Sequence, residues 1–207
     1  MKDITQYERD LASIRSMMER SAKFISLSGL SGILAGLYAL CGATAAYFIV
    51  QYPLSPFRPR INSINEAGAV VNLILIATAV LFASLSTGIL LSNQKAKKHD
   101  LKFWTPVSQR LMVNMGIPLF TGGVFILIMI YHGHFELTAP ASLIFYGLAL
   151  IQGSSNTFDE IRYLGFCEII LGLIATFLLG YGLIFWALGF GILHIVYGVI
   201  MYNKYDK

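Results

Sequence analysis

Four long stretches of this chain, 24–57, 67–94, 111–135 and 137–158, contain no Asp, Glu, Lys or Arg, and from 163 to 203 only Glu168 is charged. A helix rises about 1.5 Å per residue, so about 20 apolar residues cross a hydrocarbon layer about 30 Å thick. The first four stretches each suffice for one crossing, and the fifth suffices for two if it folds back at Gly180-Tyr181-Gly182. In lipid every backbone amide and carbonyl must find its partner within the segment, which makes such runs helical. With 56% hydrophobic and 13% charged residues and a mean hydropathy of +0.67, the chain lies outside the range of soluble domains. The expected fold is all-α, a polytopic membrane helical bundle of about six transmembrane helices in one domain over 24–204, with spans at about 24–50, 67–91, 108–131, 138–152, 160–179 and 183–202.

Orientation follows from the loops, because short cytoplasmic loops retain Lys and Arg. Lys2, Arg9, Arg15, Arg20, Lys23, Lys95, Lys97, Lys98, Lys102, Arg110, Arg162, Lys204 and Lys207 fall on one side of this scheme, and only Arg58 and Arg60 on the other. Both termini are therefore expected in the cytoplasm, and the same asymmetry accounts for the net charge of +4 without a nucleic acid partner. Residues 1–23 form a separate element: Ile4, Tyr7, Leu11, Ile14 and Met18 repeat at three and four, the spacing of an amphipathic helix. Its stripe suits the inner leaflet, a second copy of the chain, a cytoplasmic protein, or its own bundle. The segment before Phe24 holds four acids among five bases, unlike a signal peptide's short positive start, so no cleavage is expected.

Within the spans, Ser28, Gly32 and Gly36 recur every four residues, which predicts a close helix crossing in span one. The run Lys95–Lys98 reads as a basic inner loop, and Thr105-Pro106 as an N-cap with proline at the first helical position. Span three is the least regular: Asn114 and Pro118 mark a candidate kink, since proline leaves the carbonyl of Asn114 without its helical donor. Span four is short, its apolar part running from Pro140 to Ile151. Thr157-Phe158-Asp159-Glu160 matches a capping box and places the start of span five. Cys41 and Cys167 lie at different depths, so they are expected as small buried packing residues and not as a disulfide.

The residues best placed for chemistry are in the last two spans. Glu168 lies thirteen residues before Tyr181 and His194 thirteen after it, which sets them at matched depth in a hairpin. Gly165, Glu168 and Gly172 share one helical face, as do Gly191, His194 and Gly198, so both polar side chains are expected in one crowded interface. A Glu168–His194 hydrogen bond is predicted, with Tyr197 as a third member. A charge at mid-helix costs about 2.5–3.5 kcal/mol on insertion scales, so such a residue marks a functional site or a lock between helices. His132, His134 and Glu136 gather three possible metal ligands, but alternate residues converge only in an extended segment and no fourth ligand follows. No metal, no cofactor and no catalytic residue is assigned: the sequence holds no phosphate-binding glycine loop, no nucleophile elbow and no zinc-protease helix.

The stretch 14–42, reading IRSMMERSAKFISLSGLSGILAGLYALCG, together with YLGFCEIILGLIA and FWALGFGILHIVYG, resembles a group of uncharacterised bacterial six-span membrane proteins. The resemblance covers most of the chain and implies a bacterial inner membrane location, without an activity to carry over. ILAGLYA at 33–39 and IILGLIA at 169–175 also resemble one another faintly. Three classes of function stay open, in this order. The first is a non-enzymatic regulator or assembly protein acting through 1–22. The second is a small transporter or channel for a proton, an ion or a hydrophobic molecule using Glu168 and His194. The third is an intramembrane enzyme.

Overall fold

The computed structural model describes residues 28–49, 67–98 and 103–206; the amphipathic segment 1–23 and the loop with Arg58 and Arg60 lie outside the described residues. Among the described residues the fold is all-α, without a strand. Six helices follow in order: α1 Gly29–Ile49, α2 Ala67–Lys98, α3 Pro106–Tyr131, α4 Thr138–Ser154, α5 Glu160–Phe177 and α6 Gly182–Tyr205. Five of them, α4 counted with the 3-10 turn Phe135–Leu137 before it, are long and apolar enough to cross a membrane. The sixth, α5, has 18 residues, carries Glu160, Arg162 and Glu168, and lies antiparallel along α4.

Several boundaries differ from the sequence expectation for physical reasons. Lys95–Lys98 is the last turn of α2 and not a loop, since Lys and Ala favour helix and a cation at a helix C-terminus meets its negative dipole end. The short fourth span gains length from the 3-10 turn, so the segment Phe135–Ser154 reaches 20 residues. Thr105 caps α3 as expected: its side chain accepts from the Ser108 amide at 3.1 Å, and Ser108 Oγ accepts from the Thr105 amide at 2.8 Å. α3 runs as one helix through Pro118. α5 opens at Glu160, at the end of the expected capping box, but its N-cap position is held by Asp159 and not Thr157, and the Asp159 side chain makes no capping hydrogen bond. Cys41 and Cys167 are exposed on the apolar outside of the bundle, which corrects the buried reading; both are free thiols.

The core rests on two antiparallel crossings built alike. Gly29 and Gly36 of α1 face Gly198 and Gly191 of α6, while Pro140 and Gly147 of α4 face Gly172 and Gly165 of α5. Each pair of small residues is seven apart, two helical turns, so both contact points fall on one face. At Gly36 a Cβ would lie 2.6 Å from the Gly191 carbonyl, at Gly147 2.6 Å from the Gly165 carbonyl and at Gly165 2.8 Å from the Gly147 carbonyl, while at Gly191 it would strike the Leu40 side chain at 2.5 Å. Backbones that approach so closely gain dispersion contacts that apolar side chains in lipid do not otherwise supply. The close crossing expected for span one is thus present, with α6 as its partner.

This arrangement corrects the expected hairpin. α5 and α6 reverse at Gly180, whose φ of 93° suits glycine, but they touch only lightly. The glycine face of α5 serves α4 and that of α6 serves α1. α2 packs on α1 and α3 on α4, which leaves both at the rim of the bundle with mostly exposed apolar faces.

Polar groups tie the helices at one end. Asp206 accepts from the Gly29 amide at 2.7 Å, Ser28 Oγ at 3.0 Å and Lys95 Nζ at 2.5 Å, joining the start of α1 to the ends of α2 and α6. Glu160 at the start of α5 accepts from Lys204 and Tyr205 of α6. The first and last described residues therefore share the end that carries Lys95, Lys97, Lys98 and Lys204.

Candidate functional site

Three helices converge on an enclosed polar centre. α4 contributes Tyr146, α5 contributes Glu168, and α6 contributes the carbonyl of Gly189 and the ring of His194. Their meeting depends on an irregularity that periodicity does not reveal: α6 widens into a π-helix over Ala187–Leu193 before resuming α geometry at His194. The His194 side chain reaches back five residues to the Gly189 carbonyl, with Nδ1 at 3.0 Å, while its own amide bonds Gly191. A side chain entering the backbone ladder in this way is a recognised cause of helix distortion, and π turns are frequent at functional sites.

The hydrogen bond to Gly189 fixes one proton of the imidazole. A carbonyl only accepts, so Nδ1 carries a proton and donates to Gly189. Nε2 lies 2.8 Å from the Tyr146 hydroxyl. A neutral ring satisfies both contacts, with Tyr146 donating to Nε2. Phe190 holds the two rings in place, its centroid 5.0 Å from that of Tyr146 and 6.0 Å from that of His194, and Trp186 extends the column one turn further.

Glu168 comes as close as the thirteen-residue symmetry requires but does not make the predicted bond. Its Oε1 lies 3.4 Å from Nδ1, whose proton is directed to Gly189, and neither carboxyl oxygen has a hydrogen-bond partner. The residue is 0% exposed. Gly189 makes room for it, since a Cβ there would lie 2.5 Å from Oε2. Tyr197 is not the third member: its enclosed hydroxyl has no hydrogen bond, and its ring packs against Leu150, Ile161 and Leu164. The third member is Tyr146, which sequence reasoning missed. Its one signal was position, because it falls midway along α4, where the interfacial preference of tyrosine gives no account of it.

The remaining candidates lie elsewhere. Asn114 donates from Nδ2 to Asn156 Oδ1 at 2.9 Å, tying α3 to the turn before α5, so both Asn114 and Pro118 sit apart from the polar centre. At the opposite end, His134 Nδ1 lies 3.6 Å from Glu136 in an exposed pair. Among the described residues no three His, Cys, Asp or Glu side chains are grouped to hold a metal ion.

Comparison with family models, with curated proteins and with solved structures finds no match. The chemistry of the site therefore rests on its own geometry: one imidazole with both nitrogens engaged, beside one carboxyl group with neither oxygen engaged.

Proposed function

We propose that this protein is a non-enzymatic regulator or assembly protein of the bacterial inner membrane, acting through contacts with other proteins. One observation carries this reading. The polar centre is enclosed, with Glu168 0% and His194 6% exposed, whereas a pathway residue must meet one side of the membrane or the other. The excess of Lys and Arg at one end favours a cytoplasmic location for that end and for both termini. Residues 1–22 are the proposed docking element, for a cytoplasmic protein or for a second copy of the chain, with the bilayer as the bundle's surroundings. A proton or ion transporter is the second reading, favoured by the two unpartnered oxygens of Glu168.

Two measurements separate these readings. Site-directed cross-linking in membranes, with the full chain and with a chain lacking residues 1–20, should give a specific partner band that disappears on deletion. Proteoliposomes enclosing a pH-sensitive dye should show no flux above empty vesicles. A partner band that survives the deletion removes the docking role from the amino-terminal segment. Proton flux that Glu168→Gln abolishes replaces regulation with transport.

A further inference from the structure

We propose that Glu168 is a reversible proton-binding site whose occupancy sets the π geometry of α6, through competition for the single Nδ1 proton of His194. Two acceptors surround that proton: the Gly189 carbonyl at 3.0 Å, which holds it, and Glu168 Oε1 at 3.4 Å, which does not. A carboxylate with no donor in an enclosed site is far costlier than a neutral acid there, so the described arrangement suits the protonated form. Loss of the proton during transient openings of the bundle makes Glu168 the stronger acceptor, because hydrogen bonds to charged groups are about twice as strong as neutral ones.

The imidazole then turns its Nδ1–H to Oε1, a movement of a few tenths of an ångström to hydrogen-bond range. Gly189 loses its side-chain donor in the process. Without that side-chain tie the π stretch loses a bond that favours it over the ordinary α turn, which is the commoner backbone geometry. Ionisation therefore draws the π stretch toward α geometry and shifts the register of the preceding turns, Gly182–Trp186, against α1 and α4. The titratable groups facing Glu168 are His194 from α6 and Tyr146 from α4. With Tyr146 donating to Nε2 in both forms, His194 remains neutral and acts as a positioning group. The inference stands whether the protein docks a partner or moves a proton.

The test uses the full chain in lipid nanodiscs. Infrared spectra should contain a carboxylic acid band that Glu168→Gln removes and that wild type loses as pH rises. Over the same pH interval the Nδ1 proton of His194, followed by nitrogen-15 histidine NMR, should move downfield together with the amides of 187–193. Glu168→Gln keeps the neutral shape, so its His194 and π-segment signals should not change with pH. The wild-type titration alone decides the matter if the variant folds poorly. The proposal is overturned if no Glu168-dependent band appears at any pH where the bundle is folded. It is equally overturned if the band titrates while the His194 and 187–193 signals stay fixed.

Discussion

Tyr146 and Glu168 touch the same imidazole neighbourhood but should respond to substitution in opposite ways. Removing the Tyr146 hydroxyl leaves His194 Nε2 as a buried acceptor without a donor, so Tyr146→Phe is expected to destabilise the bundle by about 1–3 kcal/mol. Glu168→Met removes two oxygens that bond nothing and keeps the volume, so it should cost less than about 1 kcal/mol or stabilise. Reversible unfolding in mixed micelles measures both. A large loss for Glu168→Met with none for Tyr146→Phe would contradict the hydrogen bonding described for the site. The proximity of Glu168 to His194 was legible because residue counts to a turn fix depth, but the bond between them was not. Tyr146 was not legible, since a tyrosine within an apolar run looks the same whether it packs or bonds. Nor was the bond from His194 to Gly189, because it depends on a π segment that no local periodicity announces.

At the scale of helices, one spacing has two outcomes. Gly147 and Gly165 sit at a crossing where a side chain would strike backbone, so Gly147→Leu should cost at least about 1–3 kcal/mol and separate α4 from α5. Gly116 and Gly123 of α3 are also seven apart, yet a Cβ at either would meet nothing within 4 Å. Gly123→Ala should therefore be neutral or stabilise by up to about 1 kcal/mol, through the lower backbone entropy of alanine in the unfolded chain. Thermal denaturation of the two variants side by side checks the contrast; equal losses would show that α3 has a tight partner after all. The helices themselves were legible, since charge-free runs leave few alternatives in lipid. Which glycine face meets which was not: Gly165, Gly172, Gly191 and Gly198 looked like one shared interface and belong to two separate crossings.

Across the whole molecule, Asp206 joins the two ends of the described chain, and its titration should be felt by the bundle as a unit. Partial burial alone would raise its carboxyl, but the hydrogen bonds from Lys95, the Gly29 amide and Ser28 outweigh that and hold it below the usual aspartate range. A group depressed in the folded state adds stability above its unfolded value and loses it as pH falls through the folded value. Wild-type melting temperature should therefore drop on acidification, as the protonated carboxyl releases Lys95 and ceases to complement the positive end of the α1 dipole. Asp206→Asn has no such proton to take up. Its melting temperature should lie below wild type near neutral pH and converge with it in acid, with little change in high salt, because the Lys95 and Asp206 side chains are only 14% and 10% exposed. Parallel pH curves for the two proteins would mean that Asp206 does not hold the ends together. The basic character of this end was plain in the sequence, but the acid that fastens it was not, because Asp206 lies in a short polar tail where a lone carboxylate reads as solvated. Its role follows from the antiparallel course of α1 and α6, which brings the end of α6 to the unsatisfied amides at the start of α1.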